Sequence, residues 1–349
     1  MKKKVLAAMS GGVDSSVCAW ELVSKGIFCE GAMMRLCDAA FTGKEQSTED
    51  AQAVCHRLGI PFHNFDAVDC FRDQVVSSFV EDYEMGLTPN PCVICNQTIK
   101  FGLFLEKALS MGFTHIATGH YARIREENGR YLLYKASDES KDQSYFLAGL
   151  TQHQLAHTLF PLGDMSKEDV RRIAAEQGFL NANKKDSQDI CFIPDGDHTA
   201  FIHRYTKKHY PTGNFLDLQG NIVGTHSGAV GYTLGQRKGL GLAMGEPVYV
   251  CAKDMQANTV TVGPNEALFS TSLLANNWNW IAFESLDAPL QCTAKARSRH
   301  VAQSATVYPE EGGICQVVFD APQRALTPGQ SIVLYRDDLV IGAGTILSI

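Results

Sequence analysis

The first 195 or so residues alternate short apolar runs with amphipathic segments. The runs at 5–9, 28–34, 62–68 and 115–119 predict strands, and the segments at 16–25, 49–58, 99–111 and 168–177 predict helices. Ser47 with Asp50 and Ser166 with Asp169 predict capping boxes at two helix starts. The alternation predicts an α/β fold, with a parallel sheet covered by helices on both faces. Ligands of such a sheet bind at the carboxyl ends of its strands.

Beyond the turn at 194–197, the pattern changes to short strands punctuated by glycines. The runs at 215–218 and 222–225 flank 219–221 and predict a hairpin, and those at 248–252 and 259–262 predict a second pair. From residue 273 onward nearly every run is strand-like, at 292–297, 305–308, 314–319, 331–335 and 339–346. A small closed β-barrel is the economical way to pair so many short strands. We therefore predict an α/β domain at 1–197, a small β-rich domain at 198–272 and a C-terminal β-barrel at 273–349.

Composition narrows the class of protein. The 31 Lys and Arg against 38 Asp and Glu give a net charge of −7, which argues mildly against a nucleic-acid partner, because phosphates are neutralised by cations. The segment 203–245 departs from this balance, with five Lys or Arg and one Asp, and is either a basic binding face or a solvated surface. The first apolar run is too short for a signal peptide and no apolar run reaches about eighteen residues, so we expect a soluble cytoplasmic protein that does not enter membranes. Its eleven cysteines are expected to be reduced thiols.

The segment Ser10-Gly11-Gly12-Val13-Asp14-Ser15-Ser16 lies between the first predicted strand and the first predicted helix. Its glycines let the backbone approach an anion, its hydroxyls are donors, and the helix N-terminus directs free N–H groups at the charge. A tight βα turn has a similar composition, but the order of the residues is more specific. It is neither a Walker loop nor a dinucleotide-binding motif. It resembles the S-G-G-x-D-S loop of the ATP pyrophosphatase (PP-loop) families, which implies AMP transfer to a substrate oxygen while pyrophosphate is held.

Three further motifs contain reactive or charged side chains. Cys92 and Cys95 lie in a proline-containing loop before a helix predicted to begin near Gln97, whose positive end lowers the pKa of a nearby thiol. Cys191 lies alone in the polar segment 186–194, and a charged Lys-Asp-Gln run opens the segment 141–147. Taken singly, the cysteine pair is zinc-binding, redox-active or inert, the single cysteine is structural, and the charged run is a solvated turn.

Taken together, the motifs resemble one family. The segments 10–16, 90–96, 118–121, 141–147, 187–197 and 231–241 occur in the order found in bacterial tRNA-specific 2-thiouridylases. These enzymes replace O2 of the wobble uridine by sulfur in the tRNAs for Lys, Glu and Gln. The resemblance implies a PP-loop (adenine nucleotide hydrolase-like) first domain and two tRNA-binding β-rich domains. It also favours a tRNA-facing position for the basic segment, which contains Gly235-Gln236-Arg237-Lys238-Gly239.

The resemblance implies a reaction and the residues that perform it. ATP, with Mg²⁺, adenylates O2, and a persulfide on Cys191 then attacks C2 as a soft nucleophile. Cys95 matches the partner thiol, which attacks the persulfide, frees its outer sulfur and leaves a Cys95–Cys191 disulfide. A sulfur-relay protein or a cysteine desulfurase loads the persulfide. The positions that match ATP contacts are Ala8, Met9, Ser10, Gly11, Gly12, Val13, Asp14, Ser15, Met34 and Gly119. The positions that match tRNA contacts are Asn90, Pro91, Cys92, Lys141, Asp142, Gln143, Arg297 and Ser298.

Two positions depart from the family pattern. Many members have Asp where this chain has Cys92, so a general base at this position is in question. Cys92, Cys95 and Cys191 are also an alternative ligand set for a 4Fe-4S cluster with one open iron. Ser298 stands where an aromatic residue is common, which removes a stacking contact to tRNA while Arg297 remains.

Two other classes of function share part of the pattern. A PP-loop synthetase acting on a small molecule has the same opening loop, but it needs neither Cys95 and Cys191 nor a basic β-rich second half. A binding module held by zinc or by an iron–sulfur cluster accounts for the cysteines but not for the phosphate loop.

Overall fold

The computed structural model describes residues 3–37, 47–182, 184 and 190–349. Its first part contains a five-stranded parallel sheet and a separate hairpin. The strands are β1 (Lys4–Ala8), β2 (Phe28–Arg35), β3 (Phe62–Asp66), β4 (His115–Ala117), β5 (Arg123–Glu127), β6 (Arg130–Tyr134) and β7 (Thr158–Leu159). The sheet order is β3-β2-β1-β4-β7, and all its pairs are parallel.

Helices cover both faces of this sheet. They are α1 (Val13–Ser24), α2 (Glu49–Leu58), α3 (Val68–Phe71), α4 (Ser77–Glu84), α5 (Pro91–Cys95), α6 (Phe104–Ser110), α7 (Ser144–Leu147), α8 (Gln152–Ala156), α9 (Lys167–Glu176) and α10 (His198–Thr206). Two π-helical segments, Arg72–Val76 and Asn96–Leu103, join α3 to α4 and α5 to α6. In β1, Val5 and Ala7 pack in one apolar cluster and Leu6 in another. A strand buried on both faces is typical of the centre of a parallel sheet, which confirms the predicted α/β fold.

Several predicted element ends differ from those in the structure. Thr48, not Ser47, is the N-cap of α2, and the Ser47 hydroxyl accepts a hydrogen bond from the Glu49 N–H at 3.2 Å, so the capping box predicted there is wrong. The prediction for α9 is confirmed at the Ser166 side, whose hydroxyl accepts from the Asp169 N–H at 3.0 Å. The third strand ends at Asp66, because its carboxylate accepts from the Val68 N–H at 3.1 Å where α3 begins.

The next part is a small four-stranded sheet. Its strands are β8 (Gly213–Leu216), β9 (Ile222–His226), β10 (Tyr249–Asp254) and β11 (Thr259–Gly263), in the order β10-β11-β8-β9. The pairs β8–β9 and β10–β11 are antiparallel, as predicted, and β11 pairs with β8 in parallel. Phe215, Val250 and Val260 form the centre of its separate apolar cluster.

The last part is a closed six-stranded barrel. Its strands are β12 (Phe269–Trp280), β13 (Leu290–Lys295), β14 (Gln303–Pro309), β15 (Cys315–Arg324), β16 (Ser331–Arg336) and β17 (Leu339–Ser348). The order β12-β15-β14-β13-β16-β17 closes through an antiparallel β12–β17 pair, so the predicted barrel is confirmed. The hairpin β5–β6 extends this sheet at β17, which the sequence pattern does not predict. The three domain boundaries given above remain predictions.

The first domain and the barrel also meet beside the cysteine pair. The Gln330 side chain donates to the carbonyl oxygens of Thr88 at 2.7 Å and Pro89 at 3.1 Å, immediately before α5. Of the helices in the described residues, none combines the length and the apolar composition that a membrane-crossing helix needs.

Candidate active site

The loop between β1 and α1 folds back on itself through its serines. The Ser15 hydroxyl donates to the Gly12 carbonyl at 2.9 Å and accepts from the Ser10 N–H at 3.2 Å. Gly11 has a φ of +71°, a left-handed conformation that favours glycine. No side chain caps α1 at Gly12, so the first turn of a twelve-residue helix keeps free N–H groups for an anion.

Asp14, in the first turn of α1, is held by two residues from elsewhere in the domain. The Lys167 ammonium donates to both Asp14 oxygens, at 2.7 and 2.9 Å, and the Tyr121 hydroxyl donates to one of them at 2.8 Å. Lys167 is only 8% exposed, and it is the first residue of α9, which Ser166 caps. The sequence pattern does not predict this buried cation, since a lysine after an N-cap serine has no distinctive pattern.

Other predicted ATP positions meet the loop at the same edge of the sheet. β2 and β4 flank β1, so Met34 near the end of β2 and Gly119 just after β4 both lie at this edge. A Cβ added to Gly119 would lie 2.7 Å from the Asp14 carbonyl carbon and 2.8 Å from the Ser15 nitrogen. This close approach requires glycine. The structure therefore brings residues 8–15, Met34 and Gly119 to one sheet edge.

Asn181 stabilises the loop between β1 and α1. The sequence pattern does not predict this role. Its side-chain amide donates to the Gly11 carbonyl at 3.2 Å and to the Ser16 hydroxyl at 2.9 Å. Lys184 donates to the same carbonyl at 3.3 Å. The turn after α9 thus holds Gly11 in the loop and Ser16 in the first turn of α1.

The cysteines of the C-x-x-C motif do not have the low pKa that the sequence predicted. The helix begins at Pro91 rather than near Gln97, so Cys92 lies in the first turn of α5 and Cys95 is its last residue. Burial raises the pKa of the Cys92 thiol, and it raises that of Cys95, which is 6% exposed, to about 12. The expectation of a helix-activated thiol at this motif is therefore wrong.

Cys191 has the opposite property. As a whole residue it is exposed, and the pKa of its thiol is lowered to about 7, mainly through the side chain of Cys37. Burial opposes this shift, and the charge of Lys100 and the backbone N–H groups of Cys191 and Phe192 support it. Of the predicted motif at 186–194, residues 186–189 lie outside the described residues.

Phe192 anchors the described end of that motif. Its ring packs edge-on against Phe71 at 5.7 Å and Phe79 at 5.3 Å between centroids, and it is fully buried. Cys37, Cys95 and Phe192 belong to the same apolar cluster. The buried phenylalanine fixes the position of the neighbouring Cys191 beside the other thiols.

Lys100 lies in the π-helical segment Asn96–Leu103, and its charge acts both on the cysteines and on His120. Its charge favours the thiolate forms of Cys92, Cys95 and Cys191, although burial outweighs it and raises the pKa of Cys92 and Cys95. Burial lowers the pKa of His120, next to Gly119, and the charge of Lys100 adds to this effect. π-Helical segments are frequent at functional sites. The sequence analysis missed this lysine because a single lysine in an apparently regular helix carries no signal of its own.

Several residues predicted to contact tRNA make hydrogen bonds within the protein. Asp142 accepts hydrogen bonds from the backbone N–H groups of Ala136 at 3.0 Å and Ser144 at 3.2 Å, and the Gln143 side chain accepts from the Tyr121 N–H at 3.0 Å. Lys141, beside them, is partly exposed. This turn is therefore hydrogen-bonded to Tyr121, whose hydroxyl donates to Asp14 in the loop after β1.

Arg297 and Asn90 make similar internal contacts. The Arg297 guanidinium donates to the Leu234 carbonyl at 3.2 Å and to the Thr327 hydroxyl, and the neighbouring Ser298 is partly exposed. Asn90 is the N-cap residue of α5, and its carbonyl accepts a hydrogen bond from the Val93 N–H at 3.1 Å. Arg297 thus ties the barrel to the segment that leads to Gly235.

The described side chains differ in their fit to an iron–sulfur cluster and to Mg²⁺. Within the described residues, no three His, Cys, Asp or Glu side chains are grouped so that they could hold a metal ion. Cys92, Cys95 and Cys191 are therefore not assembled as ligands of a 4Fe-4S cluster. Mg²⁺ needs only one or two carboxylates plus phosphate oxygens, and Asp14 in the loop fits that requirement.

A parallel sheet whose central strand leads through a glycine–serine loop into an uncapped helix is typical of an α/β nucleotide-binding domain. Residues 3–195 match the family model described as tRNA methyl transferase HUP domain. Residues 199–264 match the tRNA methyl transferase PRC-barrel domain, and residues 270–346 match the aminomethyltransferase beta-barrel domain. The chain belongs to the tRNA-specific 2-thiouridylase MnmA family.

The similarity to curated relatives extends over whole chains. The chain is 47% identical to the tRNA-specific 2-thiouridylase MnmA of Clostridium acetobutylicum, over 99% of this chain and 100% of that protein. It is 45% identical to the MnmA of Clostridium perfringens, over 100% of this chain and 99% of that protein.

Solved structures are matched more distantly. The U34-tRNA thiolase NcsA from Methanococcus maripaludis with its 4Fe-4S cluster is 18% identical, with a TM-score of 0.35 over 58% of this chain and 66% of that chain. A 4-thiouridine synthetase–RNA complex with bound ATP is 17% identical, with a TM-score of 0.36 over 55% of this chain and 45% of that chain.

Proposed function

We propose that this protein is an ATP-dependent tRNA-uridine 2-sulfurtransferase, which replaces O2 of the wobble uridine by sulfur in the tRNAs for Lys, Glu and Gln. The observation that carries this proposal is the course of β2. Met34 lies near its end, at the sheet edge of the Ser10–Ser16 loop, and packs against the apolar cluster that contains Cys95 and Phe192, the residue after Cys191. Nucleotide chemistry and thiol chemistry therefore meet at one edge of the sheet, as a reaction that couples adenylation to sulfur transfer requires.

The first step is the activation of O2. Transfer of AMP to this oxygen turns it into a leaving group and releases pyrophosphate. The loop N–H groups and the Lys167 ammonium bind the negative charge that develops on the pyrophosphate. Asp14 would hold Mg²⁺, which neutralises phosphate charge when bound. Residues 8–15, Met34 and Gly119 form the ATP site in this proposal.

The second step is attack by sulfur at C2. Cys191 carries the incoming sulfur as a persulfide, because it is an exposed residue whose acidic thiol is suited to accept sulfur from a donor. Cys95 acts as the partner thiol that displaces the outer sulfur and forms a disulfide with Cys191. A sulfur-relay protein or a cysteine desulfurase supplies the persulfide, and the reaction takes place in the cytoplasm, where its tRNA substrate is.

In this proposal the tRNA phosphates bind to exposed cationic side chains. Arg237 and Lys238 are exposed on the loop that begins at Gly235. Gly235 packs so closely on the barrel that an added Cβ would lie 2.9 Å from the Ala325 Cβ. The loop is therefore held in place and presents two cations to the solvent. Asn90, Pro91, Cys92, Lys141, Asp142, Gln143, Arg297 and Ser298 are the further proposed contacts.

Nucleoside analysis tests the proposal. Unmodified tRNA for Glu is incubated with ATP, the full-length protein and a persulfide donor, then digested and analysed by mass spectrometry. We expect 2-thiouridine with the wild type and with a Cys292→Ser control in the barrel, and none with Cys191→Ser. A digest without 2-thiouridine from the wild type would refute the proposal.

A mechanism that depends on a 4Fe-4S cluster predicts a different activity for a variant of Cys92, the residue that departs from the family pattern. Cys92→Ala should retain activity if the sulfur passes through a persulfide, and should lose it if Cys92 is a cluster ligand. Anaerobic reconstitution with iron and sulfide provides the second readout, since a cluster gives a visible absorbance band that the persulfide route does not need.

A further inference from the structure

A cavity of about 310 Å³ opens where the hairpin β5–β6 joins the barrel, and none of the roles above includes it. It lies where Tyr134 of β6 pairs with Leu339 of β17. The polar side chains that line it are three arginines, two aspartates and a tyrosine, namely Arg123, Arg125, Arg336, Asp337, Asp338 and Tyr134. In a chain with a net charge of −7, three arginines around one cavity form a local surface for anions.

One of the three arginines is held by the protein itself. The Arg123 guanidinium donates to the Lys135 carbonyl at 2.7 Å and to the Asp338 carboxylate at 3.0 Å. Lys135 holds the same turn, since its N–H donates to the Asp338 carbonyl and its ammonium to the Asp337 carbonyl, both at 2.8 Å. The turn between β16 and β17 is therefore fixed to the hairpin, and the charges of Arg123 and Asp338 neutralise each other.

The other two arginines are available for a ligand. Among the described residues, neither Arg125 nor Arg336 forms an ion pair, and both residues are exposed. The Arg125 guanidinium lies 4.9 Å from the centroid of the Tyr134 ring, which orients it in the cavity wall. The lining thus has two arginines without a carboxylate partner and one aspartate, Asp337, without a cationic partner in the part of the chain that the structure describes.

The hairpin side of the cavity continues into a proposed tRNA contact. Two residues after Tyr134, the Ala136 N–H donates to the Asp142 carboxylate at 3.0 Å. Asp142 belongs to the turn 141–143, whose residues are among the proposed tRNA contacts. The cavity therefore borders a segment that already has a proposed RNA partner.

The barrel side of the cavity leads to a second proposed contact. Arg336 ends β16, which pairs with β13, and Lys295 of β13 is opposite Val333. Arg297 follows Lys295 by two residues. Counted along this register, Arg336 lies about five residues, or roughly 17 Å, from the level of Arg297. One RNA stem can reach both positions, because its phosphates extend to either side of the nucleotide that is modified.

We propose that this cavity binds phosphates of the tRNA backbone through Arg125 and Arg336. The inference rests on the proposed function, because it takes tRNA as the substrate. The contact is to the backbone and not to a stacked base, because Arg125 already covers the Tyr134 ring in the lining. It therefore adds affinity without reading sequence, at a surface separate from the loop of Arg237 and Lys238.

The salt dependence of tRNA binding tests the inference. Fluorescence anisotropy measures the affinity of the full-length protein for unmodified tRNA for Glu over a series of KCl concentrations. Arg125→Ala with Arg336→Ala should reduce the slope of log affinity against log salt concentration by about 1.4 to 1.8, since each phosphate contact contributes about 0.7 to 0.9. Lys25→Ala with Arg172→Ala removes the same charge from exposed positions on α1 and α9, and should leave the slope unchanged.

Asp337→Asn provides a change in the opposite direction. Asp337 has a φ of +54°, a conformation that asparagine also adopts, so the turn is kept while a carboxylate is removed from the lining. We expect this variant to bind tRNA about two- to fivefold more tightly at low salt. A loss of structure could not produce tighter binding.

An unchanged slope in the Arg125 and Arg336 double variant overturns the inference, and so does an equal change in the control pair or an unchanged affinity in Asp337→Asn. If the arginine double variant fails to fold, Asp337→Asn still decides. A double variant that binds tRNA normally, but loses thiolation with a protein sulfur donor and keeps it with inorganic polysulfide, would assign the cavity to that donor instead. Failure of the proposed function appears separately, as a wild-type digest without 2-thiouridine.

Discussion

At the residue scale, the site separates its thiols by ionisation. The pKa of Cys191 is lowered to about 7, whereas that of Cys95 is raised to about 12 by burial. Since the thiolate is the reactive form, alkylation of Cys191 should be slow below pH 6 and should rise to a plateau above about pH 8. Alkylation of Cys95 should still be increasing at pH 9.

Iodoacetamide labelling followed by peptide mass spectrometry, at a series of pH values, measures both curves. Cys37→Ala removes the side chain that contributes most to the shift, so the midpoint for Cys191 should move upward, toward the ordinary thiol value. Identical midpoints in the wild type and in Cys37→Ala contradict this cause of the low pKa.

The second prediction at this scale concerns Lys167. Lys167→Met removes a cation that touches both oxygens of Asp14 in the phosphate loop, so AMP formation should fall by roughly two orders of magnitude, as for loss of one oriented charged donor. Lys167→Arg should recover part of the rate. Lys25→Met, which breaks an exposed ion pair with Glu21 on α1, is the control and should keep the wild-type rate. Equal rates in the two Met variants contradict the role.

The residues of the site differ in whether the sequence predicts them. The glycine–serine loop and the three cysteines stand out because their types and spacing are unusual. Lys167, Lys100 and Cys37 do not, because each acts through a contact with a residue distant in the sequence. The wrong expectation for Cys92 and Cys95 has a local cause, since Pro91 starts the helix earlier than the pattern suggests and burial then outweighs the helix end.

At the element scale, the capped N-terminus of α9 holds Lys167, the residue that contacts Asp14 in the loop after β1. The Ser166 hydroxyl accepts from the Asp169 N–H and donates to its carboxylate at 2.6 Å, and the next residue is Lys167. Ser166→Ala should lower the local stability of α9 by about 1 kcal/mol, or about a fivefold loss of amide protection.

Hydrogen exchange measured by mass spectrometry over 167–176 checks this loss. Ser110→Ala is the control, because the Ser110 hydroxyl donates to the Lys107 carbonyl in the last turn of α6 and is not an N-cap. Unchanged protection in Ser166→Ala, or an equal loss in both helices, contradicts the prediction.

Elements differ in how well the sequence predicts them. The barrel strands are predicted because each has its own apolar run and its own turn. The pairing of β6 with β17 is not predicted, because it joins Tyr134 to Leu339 and depends on how the first domain sits against the barrel. The capping box at α2 fails for a similar local reason, since Thr48 takes the N-cap position one residue later.

At the scale of the whole molecule, an acidic protein is proposed to bind an acidic polymer. The net charge of −7 opposes tRNA over long distances, so binding depends on local cations and on screening by salt. Arg237 and Lys238 are exposed on a loop that is held against the barrel. These two residues are therefore expected to supply phosphate contacts.

The salt dependence of binding measures these contacts directly. Each phosphate contact contributes a slope of about 0.7 to 0.9 to the plot of log affinity against log salt concentration, so Arg237→Ala with Lys238→Ala should reduce the slope by about 1.4 to 1.8. Fluorescence anisotropy with unmodified tRNA, over a series of KCl concentrations, gives both slopes. Lys25→Ala with Arg172→Ala is the matched double control, since these side chains are 61% and 58% exposed and lie on helices of the first domain. An equal slope change in both double variants would mean that tRNA responds to net charge alone. A change confined to Arg237 and Lys238 places the phosphates at the loop and explains how a chain of net negative charge binds RNA.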